Sequence, residues 1–382
     1  MRNRKIVVLI IICILLALSL SGCWNRRELN TFSILMGMGI DKAEEAGKVQ
    51  LTAQIIKAGE LKSEGGSDEE AYLTVQSIGD TVFDALRKFT KETNRKIYLP
   101  HSQVLIFGEG IAAEGVQKYV DFYVRDHEPR LREKVLVAKG KAEEVLDVKS
   151  QLEKIPAVGI SSLLRAQGAT SQATEVTIKE FINRLMSKTT APVAPLIEIS
   201  GEGEEQTLRI SGMAIFKLDK FVGKLTGSEA RGLLWVIDKI KSGIIVVDCP
   251  NEEGKMSLEI IRASSKIIPE IQEDKVHIQV KIKEEGHIGD QECPGELTSD
   301  DIISIEEMKA SVIRSEVLSA VEIAQDLNTD VFGFGDAVHR KYPKEWKELE
   351  KQWDEVFPEI EVEIIVEAKV RRSGILMKSI SP

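Results

Sequence analysis

Cysteine is scarce, four in 382 residues, too few for the dense cross-linking that holds small secreted domains together. Aromatic residues make up 5% of the chain and proline only 11 positions, and no low-complexity tract interrupts it. Collagen-like and disordered classes are excluded. No second long apolar run follows the first twenty residues, which excludes a polytopic membrane protein. Positive charge is in deficit: 51 Lys and Arg face 61 Asp and Glu, a formal net charge of −10. Phosphate backbones need a basic surface, so the balance argues against a nucleic-acid binder.

The signatures of chemistry are missing too. There is no P-loop, and Gly37-Met38-Gly39 lacks the third glycine and the following helix of a phosphate-binding turn. There is no HExxH helix and no GxSxG elbow. The five histidines (His101, His127, His277, His287 and His339) have no ligand spacing. His127 between Asp126 and Glu128 reads as a polar loop. From Glu284 to Asp301 there are seven acids and no base. His287, Asp290, Glu292 and Cys293 could bind a metal there, but a solvated charged loop is the favoured reading. The expectation is a protein that is not an enzyme and carries no metal or cofactor.

What is present begins at the amino terminus. Arg2, Arg4 and Lys5 precede an uncharged run from Ile6 to Leu18, closed by Leu20-Ser21-Gly22-Cys23. A cationic start, a short apolar run and small residues at a cut site describe a secretory signal. The run falls short of the roughly 20 apolar residues a spanning helix needs. Leu-Ser-Gly-Cys resembles a bacterial lipobox, which implies that residues 1–22 are a lipoprotein signal peptide and that Cys23 carries a diacylglyceryl thioether. Two acyl chains suffice for stable anchoring, and the body then lies on the non-cytoplasmic side of a membrane. Loss of three cations takes the net charge from −10 to −13, so the body is not expected to lie flat on anionic lipid; Arg26 and Arg27, beside the anchor, are the exception. Cys249 and Cys293 remain in the body. They could pair or stay as separate buried thiols. Cys249 follows a buried-looking strand while Cys293 lies in the acidic run, which favours unpaired thiols.

The hydropathy pattern predicts a mixed α+β protein of more than one domain, with mostly antiparallel sheets packed by helices. In the first half, segments 31–41 and 49–57 read as a hairpin and 72–78 as a strand. Asp80 reads as the N-cap of a helix bearing Val82, Phe83, Leu86 and Phe89. Strands are expected at 96–107 and 134–138, and helices at 112–124 and 157–189, the last stopped by Ala191–Pro195. The acidic, glycine-containing segment 201–206 reads as a link between an N-terminal region, 23–200, and a C-terminal region, 201–382. In that second half, 208–218 and 221–225 read as a hairpin, 228–240 as a helix, and 243–248 and 256–268 as strands. Val276, Ile278, Val280 and Ile282 alternate with polar residues, the mark of a strand with one wet face. Segment 302–327 reads as a long helix, with Ser304 and Glu307 at capping-box spacing, and Ile360 to Val370 as a last alternating strand. The order strand, strand, long helix, strand suggests antiparallel packing under the helix rather than a doubly wound fold.

Several motifs carry a specific resemblance. Cys23-Trp24-Asn25-Arg26-Arg27-Glu28-Leu29 resembles the start of mature Ger(x)C lipoproteins, the C subunits of spore nutrient germinant receptors. Gly232-Leu233-Leu234-Trp235, Asp330-Val331-Phe332-Gly333-Phe334-Gly335, Arg340 to Trp346 and Trp353 to Pro358 resemble the same family. The resemblance covers the mature chain and implies a lipoprotein of α+β domains, usually three, on the outer face of the spore inner membrane. It also implies membrane-embedded A-type and B-type partner subunits and a role in the germination response to nutrients. It supplies no catalytic residue. A solute-binding lipoprotein feeding a transporter is the alternative, disfavoured by the antiparallel patterns.

Two aromatic groups stand out. Phe332-Gly333-Phe334-Gly335 reads as a tight corner sealing the long helix to the sheet. Trp346, Trp353 and Phe357 have helical offsets and read as a packed face, with a partner-binding surface as the sharper alternative. The candidate partner contacts are Trp24, Arg27, Glu28, Trp346 and Trp353.

Overall fold

A computed structural model describes residues 2–19, 32–57, 70–91, 93, 95–149, 152–250, 253–273, 275–293 and 297–372. Cys23, Trp24, Arg27 and Glu28 lie outside the described residues. Helix α1 (Arg2–Ser19) carries the apolar run, with Ile6, Val7 and Val8 about half exposed. Among the described residues no helix is long and apolar enough to cross a membrane.

The body is α+β, built on two sheets. The first contains β1 (Phe32–Lys42), β2 (Val49–Ile56), β3 (Tyr72–Gly79), β4 (Lys96–Tyr98), β5 (Val104–Gly108), β6 (Lys134–Ala138), β7 (Val193–Ser200), β8 (Thr207–Lys217) and β9 (Lys220–Leu225). Its order is β3-β2-β1-β5-β6-β7-β8-β9, with β4 also pairing β1. The flanks are antiparallel as expected, but β1 with β4, β1 with β5, β5 with β6 and β6 with β7 are parallel. Short helices make these crossovers: α2 (Val82–Lys88), α3 (Glu109–Glu114), α4 (Gln117–Arg125), α5 (Ala142–Asp147), α6 (Pro156–Ala166) and α7 (Ile178–Leu185).

Two buried polar residues fix the helices above the sheet. Asp41, at the end of the expected first strand, lies buried in β1 and accepts the Ala142 and Glu143 amides at 2.8 and 2.9 Å, so it caps α5 across the fold. Gln54 in β2 donates to Leu146 O and accepts from Ala157 N, joining the end of α5 to the start of α6.

Local chemistry corrects several sequence expectations. The N-cap of α2 is Thr81, whose hydroxyl accepts from Asp84 N, not Asp80. Gly115, at φ +124°, divides the helix expected at 112–124 into α3 and α4. The helix expected at 157–189 is two helices, and the second starts at a Thr177–Glu180 capping box. Pro195 sits inside β7 rather than simply ending a helix. The β6 pairing reaches only Leu196 and Ile197, so no ladder bond is lost at the proline. Segment 201–206, expected as an interdomain link, is the turn of the β7–β8 hairpin. The first sheet therefore takes its last two strands from beyond residue 200.

After α8 (Gly227–Val236) comes the second sheet: β10 (Ile244–Asp248), β11 (Lys255–Gln272), β12 (Lys275–Gln291) and β13 (Glu361–Arg372), in that order. Helix α9 (Ser299–Asp326) lies between β12 and β13 in sequence. It acts as a crossover, so β13 pairs β12 in parallel, not antiparallel as expected. Its capping box is Thr298 with Asp301, six residues ahead of the Ser304–Glu307 pair read from spacing.

The acidic run is not a solvated loop. Inward positions of β12 continue from Ile282 through Glu284, Gly286 and Ile288, and Glu284 is 0% exposed. It accepts a hydrogen bond at 2.7 Å from Lys309, equally buried on α9 between Ile305 and Ile313. Its neighbour Glu285 points outward to Arg262 and Arg371, and those guanidiniums hold its carboxyl down at about 2. Cys249 and Cys293 form a disulfide, against the expectation of free thiols. The long β11–β12 hairpin brings residue 293 back to the end of β10. Glu292 N donates to Lys255 O there, and Cys249 N to Gly254 O.

Candidate functional site

Where the two sheets meet, α7, the end of α8, the middle of β11 and α10 (Phe334–Lys341) enclose an open cleft of about 810 Å³. One wall is the stretch from Ser265 to Pro269. Ile237 and Val236 form another, and Phe332, Gly333 and Ala337 the third. The β10 ladder stops at Glu259, so this stretch of β11 is a sheet edge.

The cleft is built around Asp330. Its carboxylate accepts the amides of Phe332 (3.2 Å), Gly333 (2.8 Å), Phe334 (3.1 Å) and Gly335 (2.8 Å), wrapping the chain into the turn that starts α10. Gly333 holds φ +80°, which a residue with a Cβ adopts only at a cost. A Cβ on Gly335 would stand 2.9 Å from Trp346 and 3.0 Å from Trp353. The two phenylalanines stack, with centroids 5.0 Å apart. Burial pushes the Asp330 carboxyl up to about 6, although its four amide donors favour the charge.

Several polar groups around the cleft are engaged in holding the fold, while the Ser265 hydroxyl is buried without a hydrogen-bond partner. Arg184 donates to Ala191 O at 3.0 Å and Val331 O at 2.9 Å, tying α7 to the Asp330 turn. Ala191 N in turn donates to Asp330 O. Lys341 donates to Pro269 O at 2.7 Å, Ser265 N donates to Asp238, and Arg340 pairs with Asp336. What such a cleft offers a ligand is shape, apolar wall and a strand edge.

Trp346 and Trp353, set above between a packed face and a partner contact, are 3% and 6% exposed. They meet edge to face at 5.0 Å beneath Gly335. They lie not on one helix but on two short ones, α11 (Trp346–Leu349) and α12 (Trp353–Val356). The structure thus corrects the partner-surface alternative for both: these rings are spent inside the chain. The Gly232–Trp235 motif lies on α8, where Gly232 lets the helix touch the α9 backbone at Glu316. Glu316 accepts from Arg231 Nε and Trp235 Nε1, each at 2.9 Å. His127 is solvent-facing, 3.7 Å from Asp126. His287 faces Glu259 at 3.3 Å. Among the described residues no group of His, Cys, Asp and Glu is placed to hold a metal. Sequence reasoning missed Asp330 and Arg184. The signal for the first was an acid directly preceding a glycine-rich turn, the arrangement of an Asx-type cap; Arg184 had none.

Comparison with known proteins gives consistent results. Residues 25–199 match the family described as "Spore germination protein N-terminal domain", and residues 211–374 match "Spore germination B3/ GerAC like, C-terminal". Spore germination protein KC of Bacillus subtilis is 28% identical over 96% of this chain and 96% of its own. Spore germination protein B3 of the same organism is 23% identical, over 94% and 96%. The crystal structure of the GerBC protein superposes with a TM-score of 0.56 at 18% identity, over 87% of this chain and 97% of that one, which places the two in one fold.

Proposed function

The chain belongs to the GerAC-like family of spore germination proteins, and from that premise we propose that it is the lipid-anchored C subunit of a nutrient germinant receptor. Family membership across both halves of the chain is the observation that carries the reading. Cys23, after Leu20-Ser21-Gly22, is the proposed site of a diacylglyceryl thioether. The body is then held on the outer face of the spore inner membrane, beside A-type and B-type membrane-embedded subunits.

The action proposed is contact without a chemical step. A nutrient-induced change in subunit packing needs a coupling of only about 1–3 kcal/mol to favour one state. Arg184 and Lys341 are tied to backbone carbonyls and Arg340 to Asp336, which supports a role in shape and packing. Trp24, Arg27 and Glu28, next to the anchor, remain the proposed partner contacts.

Deleting the gene should slow germination in response to at least one nutrient while nutrient-independent triggers still work. Complementation with Cys23→Ala should restore little of the response and leave unprocessed precursor. Wild-type nutrient germination from the Cys23→Ala strain, with the cleaved protein still in the membrane fraction, would refute the anchoring.

A further inference from the structure

The parallel pairing of β1, β4, β5 and β6 puts their amino-terminal ends at one end of the first sheet. Phe32, the first residue of β1, pairs there with Lys96, the first of β4. The segment feeding β4 and the loop feeding β6 both enter from that end, and the Lys96–Glu128 pair joins them. Both are basic. From Arg87 to Lys96 there are six charged residues, of which only Glu92 is acidic. Lys91 and Arg95 are exposed. In the loop before β6, Arg130 and Arg132 are exposed, and between them Leu131 projects into solvent, 39% exposed.

Two of the acids nearby are neutralised in place, and Asp126 is mostly buried, its carboxylate accepting from Glu128 N at 2.8 Å. Glu128 pairs with Lys96, which also ties the loop to β4. Glu133 is buried against Ser102 and Tyr123, and burial lifts its carboxyl to about 8. In a chain of net charge −10, this end presents unbalanced cations around an apolar tip.

The length of chain to the anchor gives the end its meaning. Phe32 is the ninth residue after Cys23, and an extended chain spans at most about 3.3–3.6 Å per residue step, or about 30 Å in all. Resting on the anchoring proposed above, we propose that this end of the first sheet (Lys91, Arg95, Arg130, Leu131 and Arg132) is a docking surface for an anionic bilayer, which fixes the orientation of the body on the membrane. Cations near an anionic leaflet are drawn to it within a Debye length, and a leucine between two arginines can insert at headgroup depth while they stay at the phosphates.

The test uses the full lipidated chain in vesicles of phosphatidylcholine with phosphatidylglycerol, whose acyl chains carry bromine. Two variants report depth by tryptophan quenching, each read against the wild-type protein: Leu131→Trp at the proposed surface and Ile303→Trp on α9, where Ile303 is 54% exposed. Quenching is expected to be about twofold stronger at 131 than at 303, and to fall to the level of 303 in pure phosphatidylcholine, in high salt, or on adding Lys91→Glu with Arg95→Glu. Protein that floats with the vesicles yet shows equal quenching at both positions, or quenching indifferent to lipid charge, overturns the surface and leaves the anchor standing. That result would point to a protein partner at this end. Protein that fails to float at all overturns the anchor and the surface with it.

Discussion

Asp330 and Glu133 are both acids held inside the protein, and they differ in what they do there. Asp330 organises: four amides converge on it, and the Phe332–Gly335 turn exists because one carboxylate can accept them all. Glu133 accepts from Ser102 and faces Tyr123, and its carboxyl titrates at about 8 because burial disfavours the charge. Its folded value lies above its unfolded value of 4.5, so the native state binds more protons between those two pH values. Stability must then fall as pH rises from about 4.5 to about 8. Asp330, at about 6, adds to the same trend over a narrower window. Glu133→Gln removes the proton-linked part, so its melting temperature should decline less than wild type between pH 5 and pH 8. Thermal melts across that range check this, and parallel slopes for the two proteins would show that Glu133 does not govern the window. Neither role was legible in sequence, where Glu133 is one more acid in a charged stretch. What makes it matter is contact with residues ten and thirty-one positions away.

Among the elements, β12 shows most clearly how a signal is lost. Its first half alternates apolar with polar residues and was readable. Its second half puts Glu284 and Gly286 at inward positions, so the hydropathy pattern stops while the strand continues. Lys309 hides in the same way on α9, occupying an inward position four residues from both Ile305 and Ile313. Each charge is tolerable inside only because the other is there, and no pattern over a single element can register a pair. The missed half-strand also hid the disulfide, since a strand whose alternation stops at Ile282 gives no reason for Cys293 to return to Cys249. With β12 running to Gln291 opposite Met256, the two cysteines meet. They close a loop with a sequence separation of 44, and removing such a bond typically costs about 2–5 kcal/mol. Cys249→Ser with Cys293→Ser should therefore lower the urea midpoint. A midpoint unchanged by the double substitution, and by reductant in the wild type, would mean that the bond does not stabilise the sheet.

For the whole molecule, the question is whether two regions divided near residue 200 behave as separate units. One continuous core runs through both sheets, from Leu35 in β1 to Ala368 in β13. The Ala191–Asp330 and Arg184–Val331 bonds cross between the regions, and β8 and β9 belong to the first sheet. Equilibrium unfolding should accordingly be a single transition. In a Trp24→Phe background, fluorescence of Trp235, Trp346 and Trp353 reports the second region and far-ultraviolet circular dichroism the whole chain; the two curves should coincide. A tryptophan curve displaced from the dichroism curve would mean that the regions unfold independently.

The sequence by itself determined the class of fold and most strands and helices of the body, because hydropathy periodicity is a local property. It also determined the family, because the aromatic-glycine motifs survive as short contiguous words. Only the tertiary structure decided the parallel centre of the first sheet, the Asp330 turn, the disulfide and the gathering of exposed cations at one end. Each of these depends on which distant segments become neighbours, and strand order is set by burial over the whole core rather than by any stretch of chain within it.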